Sequence, residues 1–187
     1  SVHGVTGYSG GGKGLIEEYE LRAVPQGVGD IYRLYGLALG HKHVPEMQRY
    51  AQIAHAPLFS PAVGRFSQGM LVEVPLPLWA LPRKPSVAAL ILTLQAAYAG
   101  ERFVEVASVE ECAELQKAKS GAAGHAMALD PESLKNTNRM RLFVFGNEAA
   151  GQARLVAVYD NLGKGASGAA VQNMNIMLGL DEGAGLV

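Results

Sequence analysis

Two apolar runs, Arg141 to Phe145 and Ala153 to Tyr159, flank a turn region that holds Gly146-Asn147 and Gly151. Both runs are rich in β-branched and aromatic residues, which suit a pleated, half-buried surface. Glycines at the reversal supply the backbone freedom that a hairpin needs. The pair therefore predicts antiparallel neighbours, and a chain built around it is not an alternating doubly wound sheet.

The remaining punctuation completes an α+β pattern. Strands are predicted at Val2 to Thr6, Ile31 to Leu39, Phe59 to Arg65, Met70 to Pro75 and Phe103 to Val106. Helices are predicted at Lys13 to Tyr19, from Pro45 through Ile53, from a Ser86 cap to about Tyr98, over Val109 to Lys119 and over Ala166 to Leu178. Gly27 to Gly29, Gly121 to Asn138 and Asn161 to Gly165 read as loops, and the tail from Gly179 as frayed. The expectation is a mixed, largely antiparallel sheet with helices on one face.

Composition narrows the class. Hydrophobic residues are 49% and charged residues 18%, values that suit a well-buried globular chain. The net charge of -1 offers no basic surface to nucleic acid or an anionic membrane. The lone Cys112 cannot close an internal disulfide, which together with a start unlike a signal peptide predicts a cytoplasmic setting. Apolar stretches such as Val87 to Leu94 are too short to span a bilayer. The chain opens directly in strand-like sequence at Ser1, as expected of a piece cut at a domain boundary.

The first strand runs into Gly7-Tyr8-Ser9-Gly10-Gly11-Gly12-Lys13-Gly14. This nearly matches the phosphate loop of nucleotide hydrolases, but Gly14 stands where a hydroxyl must hold magnesium. Gly7-Tyr8-Ser9-Gly10-Gly11 also fits a nucleophile elbow, with Ser9 as the nucleophile of a serine hydrolase. Asp130 or Asp160 could then serve as the acid, yet no histidine follows either of them. A third reading is a turn whose N–H groups and Ser9 hydroxyl face a phosphate or a nicotinamide. A ligand-free connection fits the glycines equally well.

Gly40-His41-Lys42-His43-Val44-Pro45-Glu46 places two imidazoles and a carboxylate at a loop-to-helix junction. Pro45 suits the first turn of a helix, and Glu46 lies near that helix's positive end. The spacing is not that of paired zinc ligands on a helix, and no metal is expected. A general base oriented by a neighbour fits better, with a carboxylate fixing its tautomer. Arg65 ends a strand and could pair with a substrate carboxylate. Cys112 lies among Glu110, Glu111 and Glu114, which oppose thiolate formation, so it is expected to be inert. His3, His55 and His125 have no partner in sequence and read as structural.

Several stretches together resemble the shorter type of N-acetyl-γ-glutamyl-phosphate reductase. They are Val5 to Gly12, Tyr32 to Leu37, His41 to Met47, Pro61 to Phe66, Asn136 to Met140 and Asp160 to Asn173. The His41 and Asp160–Asn173 stretches are the specific ones. The resemblance implies an enzyme of arginine biosynthesis that turns N-acetylglutamyl 5-phosphate into the 5-semialdehyde with NADPH. It implies the fold of the catalytic domain of glyceraldehyde-3-phosphate dehydrogenase-like enzymes, paired with an N-terminal Rossmann domain that holds most of the cofactor. It also implies a cysteine nucleophile, in an Asn-Pro-Gly-Cys motif that these residues do not contain.

By the same resemblance His41 is the acid/base residue, supported by His43 and Glu46. Ser9, Gly10 and Gly11 approach the cofactor or phosphoryl group, Asn161 and Gly163 approach the nicotinamide, and Arg65 meets the substrate carboxylate. Residues 1–160 form the catalytic and oligomerisation domain, while 161–187 form a turn and helix that pack on the Rossmann domain. Self-association through the sheet, as a dimer or tetramer, is expected. Taken alone, the 187 residues are expected to be an inactive oligomerisation module.

Overall fold

The structure, a computed structural model, describes residues 1–20, 31–117, 119–120, 125–126 and 128–187. In chain order the elements are β1 (Val2–Gly7), α1 (Gly12–Glu20), β2 (Tyr32–Leu34), α2 (His43–Tyr50), β3 (Phe59–Gly64) and β4 (Met70–Pro77). Then follow α3 (Val87–Ala97), β5 (Val104–Val106), α4 (Val109–Lys117), β6 (Lys119–Ser120), β7 (His125–Ala126), β8 (Met140–Asn147), β9 (Gln152–Tyr159) and α5 (Gly168–Met177). The expected loop at Gly27 to Gly29 lies outside the described residues.

Seven strands form one sheet in the order β2-β3-β1-β4-β9-β8-β5, and β6 and β7 form a separate two-stranded ribbon. The predicted hairpin is its backbone: β8 and β9 pair antiparallel from Met140↔Tyr159 to Asn147↔Gln152. Gly151 closes the turn at φ +64, where a side chain is disfavoured. The β1–β3 and β5–β8 pairs are parallel, and the other pairs are antiparallel. The α+β expectation therefore holds.

Pleating sends alternate residues to opposite faces. One face carries Gly4, Thr6, Val72, Ala157, Val144 and Gly146, by register. Helices cover this face at both ends. A Cβ on Gly146 would meet Val87 of α3, and Arg33 of β2 lies over the buried ring of Tyr19 from α1. The Ser86 hydroxyl caps α3, accepting the Ala89 N–H at 3.1 Å. Ile91, Cys112, Phe143, Val144, Val156 and Val158 anchor the core. The opposite face is a groove of about 760 Å³ floored by Val5, Leu34, Leu71, Phe145 and Val156, with Glu73 and Arg154 paired at 3.3 Å.

Four local expectations are corrected. The strand expected over Ile31 to Leu39 is confined to Tyr32–Leu34, because Gly36 and Leu39 turn the chain at φ +66 and +58. The helix from Pro45 ends at Tyr50, with Gln52 at φ +53. A π turn, Gly163–Ser167, stands where the polar turn was to pass directly into helix. The tail is tied down rather than frayed: Arg102 pairs with Asp181 at 2.6 Å, and the Asn138 N–H donates to the Val187 carbonyl. No helix among the described residues is long and apolar enough to cross a membrane.

Candidate functional site

The tight turn at Gly36 delivers His41 to the edge of β3. A Cβ on Gly36 would lie 3.1 Å from Pro61, so glycine lets this loop rest on the strand. His41 sits among rings, with Phe59 edge-on at 5.1 Å, Tyr35 at 5.8 Å and His43 at 4.8 Å. Its Nδ1 accepts the backbone N–H of His43 at 3.2 Å. The neutral ring therefore carries its proton on Nε2.

Burial holds the His41 pKa below its usual value, and the charges of His43 and Lys42 push the same way against Glu46. A proton on Nδ1 would also set two N–H donors face to face. Glu46 lies exposed in the first turn of α2 and acts on His41 through its charge. The group that fixes the tautomer is thus the His43 N–H, not the carboxylate expected from sequence.

The glycine loop leaves β1 as a short 3-10 turn, Tyr8–Gly11. Its Tyr8 and Ser9 N–H groups donate to the Phe66 and Ser67 carbonyls at 2.9 and 3.1 Å. Those two donors are committed inside the protein, so the turn is not the open anion cradle its glycines suggest. The Ser9 hydroxyl accepts from the Asn161 side-chain amide at 3.1 Å. An amide donor cannot take the serine proton, so nothing in this contact activates Ser9 as an elbow nucleophile would require.

Asn161 bridges two loops, since its Oδ1 also accepts the Gly69 N–H at 2.8 Å. Beside it Asp160 is 0% exposed and takes hydrogen bonds from the Gln68 side chain and the Asn136 and Leu162 N–H groups. Sequence points to Asn161 but not to this buried carboxylate as an organiser, because two of its donors, Gln68 and Asn136, lie far away along the chain.

These pieces share one face of β1. Phe59, under His41, lies 3.5 Å from the position of a Gly4 Cβ, and Gly10 lies over Thr6. Gly4 and Thr6 are two residues apart and point the same way, a step of roughly 7 Å. A Cβ on Gly10 would fall 3.2 Å from Thr6 Oγ1 and 3.3 Å from Asn161 Nδ2. Gly10 is thus packed against a hydroxyl and an amide with no room for a side chain, and it joins Ser9 and Asn161 in one cluster.

Arg65 lies over the Tyr19 ring at 5.3 Å and donates to the Tyr19 carbonyl at 3.4 Å. Cys112 is 1% exposed, and burial pushes its thiol pKa up, with Glu111 adding to the effect. Gly163-Lys164-Gly165-Ala166-Ser167-Gly168 has dinucleotide-fingerprint spacing between a strand and a helix. Here the glycines serve close packing: side chains at 163 and 168 would strike the Thr137 carbonyl and the Asn138 side chain. Among the described residues no three His, Cys, Asp or Glu side chains are grouped to hold a metal.

Comparison with known proteins sets this geometry in a family. Residues 1–161 match the family described as semialdehyde dehydrogenase, dimerisation domain. N-acetyl-gamma-glutamyl-phosphate reductases from Brucella anthropi and Brucella ovis are 50% and 51% identical over 179 residues. Each match covers 96% of this chain and 54% of the relative, so the chain spans about half the length of these relatives. An aspartate semialdehyde dehydrogenase from Francisella tularensis shares the fold, with a TM-score of 0.60 at 14% identity over 94% of this chain and 57% of that one. A second, from Vibrio cholerae, has a TM-score of 0.56 at 17% identity over 95% of this chain and 54% of that one. With most of its length matched, this chain belongs to the semialdehyde dehydrogenase dimerisation-domain family.

Proposed function

We propose that these residues form the catalytic and oligomerisation part of a cytoplasmic, NADPH-dependent reductase of arginine biosynthesis. Its substrate is N-acetylglutamyl 5-phosphate and its product the 5-semialdehyde. The observation that carries the reading is the placement of His41 and the Ser9–Gly10–Asn161 cluster on one face of β1. The half-identity to reductases of that name supplies the substrate class.

That cluster is assigned to one end of the cofactor, where the Ser9 hydroxyl and Asn161 amide can meet a carboxamide. When bound, NADPH supplies the hydride. His41 presents Nε2–H as a donor to an oxygen that gains charge at the reacting carbon, with His43 fixing the ring and Glu46 tempering its acidity. Ser9, Gly10 and Gly11, together with Asn161 and Gly163, are assigned to the cofactor. Arg65 is assigned to the substrate carboxylate. The buried Cys112 is not the nucleophile; that thiol is assigned to a segment outside these residues.

Two further surfaces have assigned partners. The apolar groove on the opposite sheet face is the self-association surface, a role that the name of the matched family supports. The outer side of α5 exposes Met174 and Met177, with Leu162 beside the preceding turn. This segment, 161–187, is assigned to packing against a cofactor-binding domain. A second reading, a self-associating module without chemistry of its own, applies to the 187 residues in isolation.

The test is NADPH oxidation by the full-length protein with N-acetylglutamyl phosphate. Semialdehyde formation matched to NADPH loss is the expected result. Absence of turnover by a folded, full-length protein would refute the reading.

A further inference from the structure

Around residues 160–163 the backbone is packed more closely than side chains permit. A Cβ on Gly69, which has φ +122, would collide with the Pro131 carbonyl. One on Gly163 would collide with the Thr137 carbonyl, and one on Gly7 would lie 2.6 Å from the Ser67 carbonyl oxygen. Asn136 adopts φ +63 in the same place. Of these, only Asn136 holds a backbone that its side chain disfavours, and such backbone persists where its surroundings over-determine it.

Asp160 is the centre of that packing. Its carboxylate is fully buried, and both oxygens are used. The donors are an amide side chain and two backbone N–H groups, none of them a cation. A fully buried carboxyl must have its oxygens paired, so the geometry of these donors is exacting.

The bonds run outward in two directions. Through Gln68, Asp160 holds the 66–69 segment, whose carbonyls accept the N–H groups of Gly7, Tyr8 and Ser9. Through Leu162 N–H and the adjacent backbone it fixes the turn that aims Asn161 at Ser9 and Gly69. The glycine loop is therefore gripped from both sides by one carboxylate.

We propose that Asp160 is the positioning residue of the Ser9–Gly10–Asn161 cluster assigned to the nicotinamide, acting through Asn161 and the Gln68 segment. This rests on the reductase reading above. It adds a residue that touches neither substrate nor cofactor and yet sets the approach of the hydride.

The test uses the full-length reductase with Asp160→Asn, which keeps size but removes one acceptor. Expected is a roughly ten- to hundredfold lower kcat/KM for NADPH, as for a small misplacement at a reacting centre. KM for the acyl phosphate should change far less, and the isotope effect from deuterated NADPH should rise. Asn161→Ala should show the same pattern, and the double variant should lose no more than the worse single. Additive losses would overturn the proposal, because Asp160 would then act independently of Asn161.

If Asp160→Asn fails to fold, Gln68→Met removes a single donor and should give a weaker form of the same pattern; wild-type kinetics there would overturn the proposal. If the wild-type protein has no reductase activity, the functional reading fails by itself. Positioning is then read on the 187-residue chain by amide exchange, where Gln68→Met should speed exchange at Tyr8 and Ser9. Unchanged protection at those two amides would sink it.

Discussion

The backbone N–H of His43 meets Nδ1 of His41 at 3.2 Å, and this one bond decides which nitrogen the imidazole offers. With Nδ1 occupied, Nε2–H is the working end of the ring. In the full-length protein, His41→Asn should slow reduction by roughly 10²–10⁴-fold, the usual scale for a positioned proton-transfer group. Folding should be little changed, since the ring lies at the edge of the core. Near wild-type turnover would remove His41 from the mechanism.

The same ring makes stability depend on pH. Burial, then the charges of His43 and Lys42, hold its folded pKa below the 6.5 of the free side chain. As pH falls below 6.5 the unfolded chain takes up the proton first, so the unfolded state gains. This contribution is complete above 6.5 and is lost as pH falls toward the folded value. Urea midpoints measured against pH should therefore slope less below 6.5 in His41→Asn than in wild type. Parallel curves would contradict the assignment.

Cys112 should be silent. It packs among Ile91, Ala107 and Val144 at 1% exposure, and burial raises its thiol pKa. A thiol reagent such as DTNB should label it only after unfolding in denaturant, and Cys112→Ser should retain full-length activity. Rapid labelling of the native chain, or loss of acyl-enzyme in the variant, would overturn this.

Two glycines should respond oppositely to alanine. Gly69→Ala meets both a disfavoured φ of +122 and the Pro131 carbonyl. It should cost about 2–4 kcal/mol, and so lower Tm by roughly 5–15 °C. Gly14 lies within α1 with nothing near its missing Cβ, and Gly14→Ala should stabilise by about 0.5–1 kcal/mol. Thermal melts of the two variants check the contrast; equal shifts would mean that the 67–69 turn is not held as described.

Features set by local chemistry were legible in the sequence. The β8–β9 hairpin follows from its turn glycines, α3 from its Ser86 cap, and the His41 junction from Pro45. What escaped depends on partners distant along the chain. Asp160 meets Asn136 and Gln68 from 24 and 92 residues away, a convergence that no spacing rule encodes. The tail reads as frayed because its anchors, Arg102 and Asn138, lie in other segments. Tyr35 to Leu39 is apolar enough for a strand, yet Gly36 and Leu39 bend it into the turn that seats His41. Glu46 is near enough to His41 to matter electrostatically, but a backbone N–H two residues from the ring holds the position first.

We propose that these residues supply the acid/base face and the association surface, and that another domain supplies most of the cofactor site. Light scattering combined with isothermal titration of NADPH into the 187-residue chain tests it most directly. The account predicts a dimer or larger species, through the groove lined by Val5, Leu71 and Val156, with no NADPH affinity in the micromolar range. A monomer that binds NADPH tightly would place the cofactor site within these residues and contradict the division.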